Sequence, residues 1–425
     1  MDSVLDAIIV GGGLAGLTCA RKLTSAGLSC QLLEASDQVG GRARTDNVDG
    51  FLLDRGFQVF LTAYPEAQEI LSYDELELKS FEPGALIRFQ GKFRRLADPW
   101  RRPRHFFSSA ISPAISPAIS PVASLRDKLK IASFRRHTTH GKLHEIYGRP
   151  ERTTIDLLRS RGFSDIVIER FFRPFLGGIF LDRDLATSSR MCEFVFRMFS
   201  LGDAALPARG MGEIARQLAS QLPADVINVH SPVEAIDRQS VVLLSGEKLT
   251  TRAVILATEA PVASKLLGNE LRPTGQSVTN LYFTADEAPI KEPTLVLNGD
   301  GEGPINNLCV PSMVACDYAP PGKSLISLTC LGEYADQEML EVKVRLQLRA
   351  WFGAIVDSWE HLRSYTIPYA LPNQKPPALQ VLEKPSQVRE GVFVCGDYLD
   401  TASINGAMAS GRRAAEAVLS DLQER

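Results

Sequence analysis

Asp6-Ala7-Ile8-Ile9-Val10-Gly11-Gly12-Gly13-Leu14-Ala15-Gly16 is the stretch that decides the fold. Its apolar opening, Asp6 to Val10, reads as a parallel strand covered on both faces. The run enters a G-x-G-x-x-G pattern with one extra glycine and no intervening linker. Apolar residues then recur at helical spacing from Leu14 to Ala26, and Gly27 is a stop signal. A second strand is expected over Leu28–Leu33, ending at Glu34 and Ala35. Each part has a physical task. Gly11 permits the tight turn, Gly13 lets backbone approach a pyrophosphate, and Gly16 lets the helix close on the sheet. The helix start at Leu14 and Ala15 turns unpaired N–H groups toward phosphate. Glu34, 18 residues beyond Gly16, can accept both ribose hydroxyls of an adenosine. An acid there would repel a 2′-phosphate, which disfavours NADP. The pattern alone does not separate FAD from NAD.

The next segments bear on that choice. Gly40-Gly41-Arg42-Ala43-Arg44-Thr45 frees the backbone for close approach and supplies two guanidiniums able to neutralise a diphosphate, although it also fits a plain basic turn. Gly56-Phe57-Gln58 follows, with Gly56 suited to backbone passing a flat ligand.

With these residues in order, the chain resembles the flavin-containing amine oxidase superfamily, which includes monoamine oxidases, protoporphyrinogen oxidases and carotenoid desaturases and isomerases. The resemblance implies that Gly11, Gly13, Gly16 and Glu34 hold the ADP half of FAD, with Gly40, Gly41 and Arg42 along its pyrophosphate. It extends through Phe172–Leu181, Ala205-Leu206-Pro207 and Gly210-Met211-Gly212 to a return strand at Ala253–Thr258. Val233 would lie beside the adenine. Near the end, Val392–Asp397 and Ile404–Ala407 resemble the closing flavin motif, with Gly396 and Asp397 at the ribityl chain. A helix starting near Ile404 would point its N-terminus at the isoalloxazine, where its dipole favours negative charge on a reduced flavin.

The implied fold class is α/β: a Rossmann-like FAD domain from discontinuous segments 1–87, 205–275 and 375–425, and a mixed α+β substrate domain from 88–204 and 276–374. A chain of 425 residues is too long for one core, which agrees with two domains.

No metal box, serine elbow or Cys–His pair stands out, so no catalytic residue is assigned, in keeping with chemistry supplied by a cofactor. Departures from the amine oxidases shape the substrate reading. Gln276–Tyr282 lacks the lysine such enzymes often place near flavin N5. Ser403 stands where monoamine oxidases put a cage tyrosine, and there is no S-G-G-C context for covalent flavin attachment. These features point to non-covalent FAD and to an apolar or polycyclic substrate oxidised or isomerised at carbon, with oxygen or a quinone as acceptor. An amine oxidase using oxygen and an FAD-bearing non-catalytic protein are the alternatives. Phe171, Phe172, Phe175, Phe180, Trp359, Tyr365 and Tyr369 are aromatic candidates for the pocket, weighed against ordinary core packing. Arg173 fits an acidic substrate group or a structural ion pair.

Charge is uneven. Residues 88–152 hold fifteen Lys or Arg against four Asp or Glu, a balance of +11 in a chain of formal net charge −3. Within them, Ala110–Ser124 repeats Ile-Ser-Pro-Ala with prolines at 113, 117 and 121, which blocks a regular helix. Ile111, Ile115 and Ile119, flanked by Arg101, Arg102, Arg104, Arg126, Lys128 and Lys130, make residues 100–130 a candidate flexible contact with an anionic membrane surface. No nucleic-acid partner is expected. Seven scattered cysteines form no metal knuckle or redox pair, and a strand beginning at Asp6 leaves no room for a leader. The expected location is therefore cytoplasmic, peripheral to a membrane at most.

Overall fold

The computed structural model describes residues 4–97, 122–269 and 273–424. Five parallel strands lie side by side in the order Ile227–Asn228, Cys30–Leu33, Leu5–Val10, Lys248–Leu256, Val392–Val394. The start, middle and end of the chain thus meet in one sheet, with Ile9 opposite Leu32 on one side and Ile255 on the other. Ala7, Ile8 and Ile9 are fully buried, as the uninterrupted apolar run requires. An antiparallel meander, Val233–Ile236 and Ser240–Leu243, feeds the Lys248–Leu256 strand, and Gln387–Arg389 adds the remaining edge. The helix Leu14–Ser25 follows the glycine turn, and the C-terminal helix Ile404–Glu424 packs on it so closely that a methyl at Gly411 would overlap the Ala15 carbonyl. The α/β class and the discontinuous parallel unit are present as expected; the second strand begins at Cys30 rather than Leu28.

A second, seven-stranded sheet runs Glu360–Pro372, Gly275–Ala285, Ser324–Leu331, Ile305–Cys309, Leu295–Asn298, Gly84–Phe89, Lys92–Ala97. All its pairs are antiparallel except Leu295–Asn298 with Gly84–Phe89. Alternation sets its faces. Leu281 and Phe283 pack with Leu340, Val344 and Leu348 of helix Gln337–Phe352, whereas Tyr282 between them joins the main core on the opposite face. The strand Gly84–Phe89 lies wholly in this sheet, so the expected boundary at residue 87 falls inside a strand. The cause is a two-residue hairpin turn at Gln90-Gly91, both with positive φ, which returns the chain into Lys92–Ala97.

Helices fill most of residues 125–201. Ile168–Phe172 forms a π-helical turn, in which the Arg173 N–H reaches the Ile168 carbonyl; Pro174, lacking an N–H, cannot bond the Arg170 carbonyl in the ordinary way. The Ile-Ser-Pro-Ala repeat through Pro121, with Ile111, Ile115 and Ile119, lies outside the described residues. Its carboxyl flank does not fit a flexible loop. Val122 and Ala123 are buried, and Ser124 and Asp127 form a reciprocal capping box that starts the helix Leu125–Thr139.

Candidate cofactor site

Two glycine segments face each other at the carboxyl end of the parallel sheet. Gly40 N–H donates to the Gly12 carbonyl at 2.8 Å, and a methyl on Gly41 would lie 3.4 Å from the Gly13 Cα. Gly11, at φ +110°, passes so near the return strand that a Cβ would stand 2.9 Å from the Ala257 oxygen. A methyl at Gly16 would overlap the Gly11 carbonyl. Gly13 differs from these: its Cβ position opens on free space within 4 Å. The result is a bare cradle at a helix start without a side-chain cap, where Leu14 and Ala15 follow as the first helical residues. Glu34 closes one side, accepting from Gly12 N–H at 2.7 Å and from Ser36 N–H and Oγ at 2.9 and 2.7 Å. Ala35 beside it is exposed, and Ser231 N–H donates to the Glu34 carbonyl, which brings the approach to half-buried Val233 alongside.

The turn Gly40–Thr45 sends its two arginines to different tasks. Arg42 donates to the Ala370 carbonyl at 2.7 Å and pairs with buried Asp397, also at 2.7 Å. Burial opposes the Arg42 charge, but Asp397 outweighs it and holds the guanidinium above its ordinary value. Arg44 instead pairs with Asp37 and Asp46, so it is a structural clamp rather than a free diphosphate ligand. Gln58 Nε2 donates to the Arg42 carbonyl at 2.6 Å and braces this turn, while Phe57 meets Phe81 edge-on. Gly56 has φ +85°, and a Cβ there would stand 2.9 Å from Ile367 Cδ1. Gly396 precedes Asp397 at φ +154°.

The C-terminal helix begins at Ile404, with Ala407 in its first turn. Ser403 caps it: its Oγ accepts from Gly406 N–H at 3.0 Å and contacts Thr401 Oγ1 at 2.9 Å. Buried Gln374 fixes the preceding turn, donating to the Asp400 carbonyl and accepting from Ala402 N–H.

Asp54 ties the two halves together. Its carboxylate accepts from Thr45 Oγ1, Met211 N–H and Tyr318 hydroxyl, and its carbonyl accepts from Tyr282 hydroxyl at 2.8 Å. Thr45 and Met211 belong to the cofactor side, Tyr282 and Tyr318 to the other. Burial pushes the Asp54 carboxyl up to about 6, against the pull of those donors.

The aromatic candidates separate. Phe172 and Phe180 are buried core; Phe171 and Phe175 are half-buried and stacked 5.3 Å apart, with Phe199 equally close to Phe175. Trp359 belongs to the core beneath helix Gln337–Phe352, and the Tyr365 hydroxyl donates to Asp46. Arg173 forms the structural pair with Glu169. The Tyr369 phenol lies near enough to the Arg42–Asp397 pair for both charges to act on it. Tyr398, Gln374 and Asp54 were not singled out from the sequence, although Tyr398 follows Asp397 directly.

FAD fits this architecture. The cradle leaves Gly13 uncovered, and the buried hydroxyls of Tyr369 and Tyr398, on which the charges of Arg42 and Asp397 act, have no hydrogen-bond partner among the described residues. Arg42 with the cradle would hold the diphosphate, Glu34 the adenosine ribose and Asp397 the ribityl side. Among the described residues, no group of three or more His, Cys, Asp or Glu could hold a metal, and no helix is long and apolar enough to cross a membrane.

The profile of the family described as flavin containing amine oxidoreductase matches residues 14–419. A coproporphyrinogen III oxidase from Mycobacterium tuberculosis is 25% identical over 469 aligned residues, covering 97% of both chains. A putrescine oxidase from Kocuria rosea is 42% identical, but over 78 residues, 18% of this chain and 16% of that one. An oxidoreductase from Methanosarcina mazei superposes with a TM-score of 0.71 at 17% identity, over 98% of this chain and 100% of the other, a likeness of fold.

Proposed function

Since the chain belongs to the flavin-containing amine oxidoreductase family, we propose that this flavin-dependent oxidoreductase holds FAD non-covalently and removes hydride from carbon of an apolar or polycyclic substrate. Position 403 supports the reading most. A cage for an amine needs an aromatic wall there, and Ser403 is committed to capping the Ile404–Glu424 helix. The Gly275–Ala285 strand carries no lysine, and the stacked Phe171 and Phe175 suit an apolar guest. Sequence similarity to a coproporphyrinogen III oxidase along nearly the whole chain points the same way, whereas the sequence match to the putrescine oxidase is local and its whole-chain structural likeness is one of fold alone.

The bound flavin supplies the hydride acceptor. The chain's residues do the rest. The glycine cradle would bring backbone N–H groups to the diphosphate, Arg42 would offset its charge, and the start of helix Ile404–Glu424 would favour negative charge on the reduced flavin ring. No strong protein base is needed for a direct hydride transfer.

Acid precipitation should release yellow flavin into the supernatant, which separates non-covalent from covalent attachment. Anaerobic mixing then tests the class: porphyrinogens or polyenes should bleach the flavin, and simple amines should not. Bleaching by amines alone would replace this reading with the amine oxidase one, and colour that persists with every compound would favour a non-catalytic role. Turnover with oxygen against a quinone identifies the acceptor. We also propose that the basic region around residues 100–130 meets an anionic membrane surface.

A further inference from the structure

Tyr369 stands near the end of the strand Glu360–Pro372. Its ring rests on Gly275 of the neighbouring strand, where a methyl would overlap it, so the orientation of the phenol is fixed by packing. The residue is 8% exposed, yet its hydroxyl finds no partner among the described residues. Tyr398 is arranged alike: its ring lies over Gly396, and its buried hydroxyl is also unpaired. The charges of Arg42 and Asp397, which are joined to each other and to the Ala370 carbonyl, act on both phenols. A buried hydroxyl without a partner costs stability, and two at one place call for a missing acceptor.

We propose that the hydroxyls of Tyr369 and Tyr398 donate hydrogen bonds to the diphosphate of bound FAD, completing the grip begun by Arg42 and the glycine cradle. This assignment rests on the flavin reading above and deepens it. The chemistry matches the place. A diphosphate is rich in acceptors and carries no donors, and one guanidinium already shared with a carboxylate cannot satisfy it. Burial raises both phenols, as does the charge of Asp397, so they stay protonated and act as donors.

The test is a titration of full-length apoprotein with FAD, followed by flavin fluorescence, for the parent, Tyr369→Phe, Tyr398→Phe and the double variant. Each single change should weaken FAD roughly tenfold, the scale of a hydrogen bond to a charged group. ADP should weaken in parallel, whereas riboflavin, which lacks the diphosphate, should bind all four proteins alike. Melting of the apoproteins supplies the control against misfolding. Removing an unpaired buried hydroxyl should leave the melting temperature unchanged or raise it. Weaker FAD binding with undiminished apoprotein stability supports the assignment. Equal FAD affinity in all four overturns it and leaves the flavin reading standing. A loss of apoprotein stability that accompanies the weaker binding also overturns it, since the hydroxyls would then serve the fold. A parent that binds no FAD defeats the flavin reading itself.

Discussion

The parallel sheet around Leu5–Val10 and the antiparallel sheet around Gly275–Ala285 bury their central strands equally well, but they use glycine differently. In the first region glycines admit backbone against backbone. Gly11 lies over Ala257, Gly16 over Gly11, and Gly411 over Ala15. In the second, turn glycines such as Gly322 and Gly332 take φ of +79° and +94° with nothing within 4 Å of a would-be Cβ. They serve the bend alone. Gly275 differs from these turn glycines, because it starts the Gly275–Ala285 strand and a methyl there would overlap the Tyr369 ring.

Methyl substitution tests that difference most severely. Gly16→Ala must displace the Gly11 carbonyl, which is backbone and part of the cradle. We expect more than roughly a hundredfold loss of FAD affinity in a titration, with lowered stability. Gly322→Ala should cost only about 1–2 kcal/mol in denaturant unfolding, through its left-handed backbone, and leave FAD binding unchanged. Comparable loss of FAD in both variants would erase the distinction.

The next largest effect belongs to the joint at Asp54. The Asp54 carboxyl titrates near about 6 in the fold against an ordinary 3.8, so the fold favours its protonated form. Its stabilising contribution is complete below the unfolded value and is lost as pH rises through about 6. The rise corresponds to about 3 kcal/mol. Asp54→Asn mimics the protonated acid. Its melting temperature should therefore gain on the parent's between pH 4 and pH 7, the difference levelling off above. Parallel pH profiles would show that the joint does not titrate in this range.

On the helix Arg173–Phe180, which packs against the second region, Phe175→Leu tests whether the stacked pair is pocket lining or core. The exchange should cost roughly 1 kcal/mol of stability, leave FAD affinity unchanged and raise KM for an apolar substrate more than it lowers kcat. An unchanged KM would return Phe175 to the core, alongside Phe172.

What could be read from the sequence follows the same division. Dinucleotide binding demands particular residue types at fixed short spacings, so Gly11 to Glu34, Gly40 to Arg42 and Gly396-Asp397 stand out locally. The Asp54–Tyr318 hydrogen bond joins residues 264 apart and leaves no local pattern. Tyr369 over Gly275 depends equally on which strands become neighbours. Two further local signals lie in the sequence. Gln90-Gly91 marks the hairpin turn that keeps residue 87 within a paired strand. Ser124-x-x-Asp127 is a helix start, eclipsed by the prolines before it.

That helix provides the smallest expected effect on the folded protein. Leu125 and Leu129 are four residues apart, so they share a face, and they are 55% and 64% exposed. Ile166, 49% exposed, sits on the turn that Ser164 ties to Asp127 at the start of the same helix. Arg126 lies between the leucines in a segment of strongly positive balance, which is the pairing of apolar and cationic groups that suits an anionic lipid surface. Neither leucine supports the core, so Leu125→Ser with Leu129→Ser should change stability by less than about 0.5 kcal/mol and leave FAD binding intact. If the region contacts membrane, the parent should co-sediment with anionic vesicles more than with neutral ones, salt should weaken the binding, and the double variant should sediment less. Equal sedimentation of variant and parent would remove this helix from any membrane contact. Equal sedimentation with neutral vesicles would remove the electrostatic part of the proposal, leaving the basic region as a solvated surface.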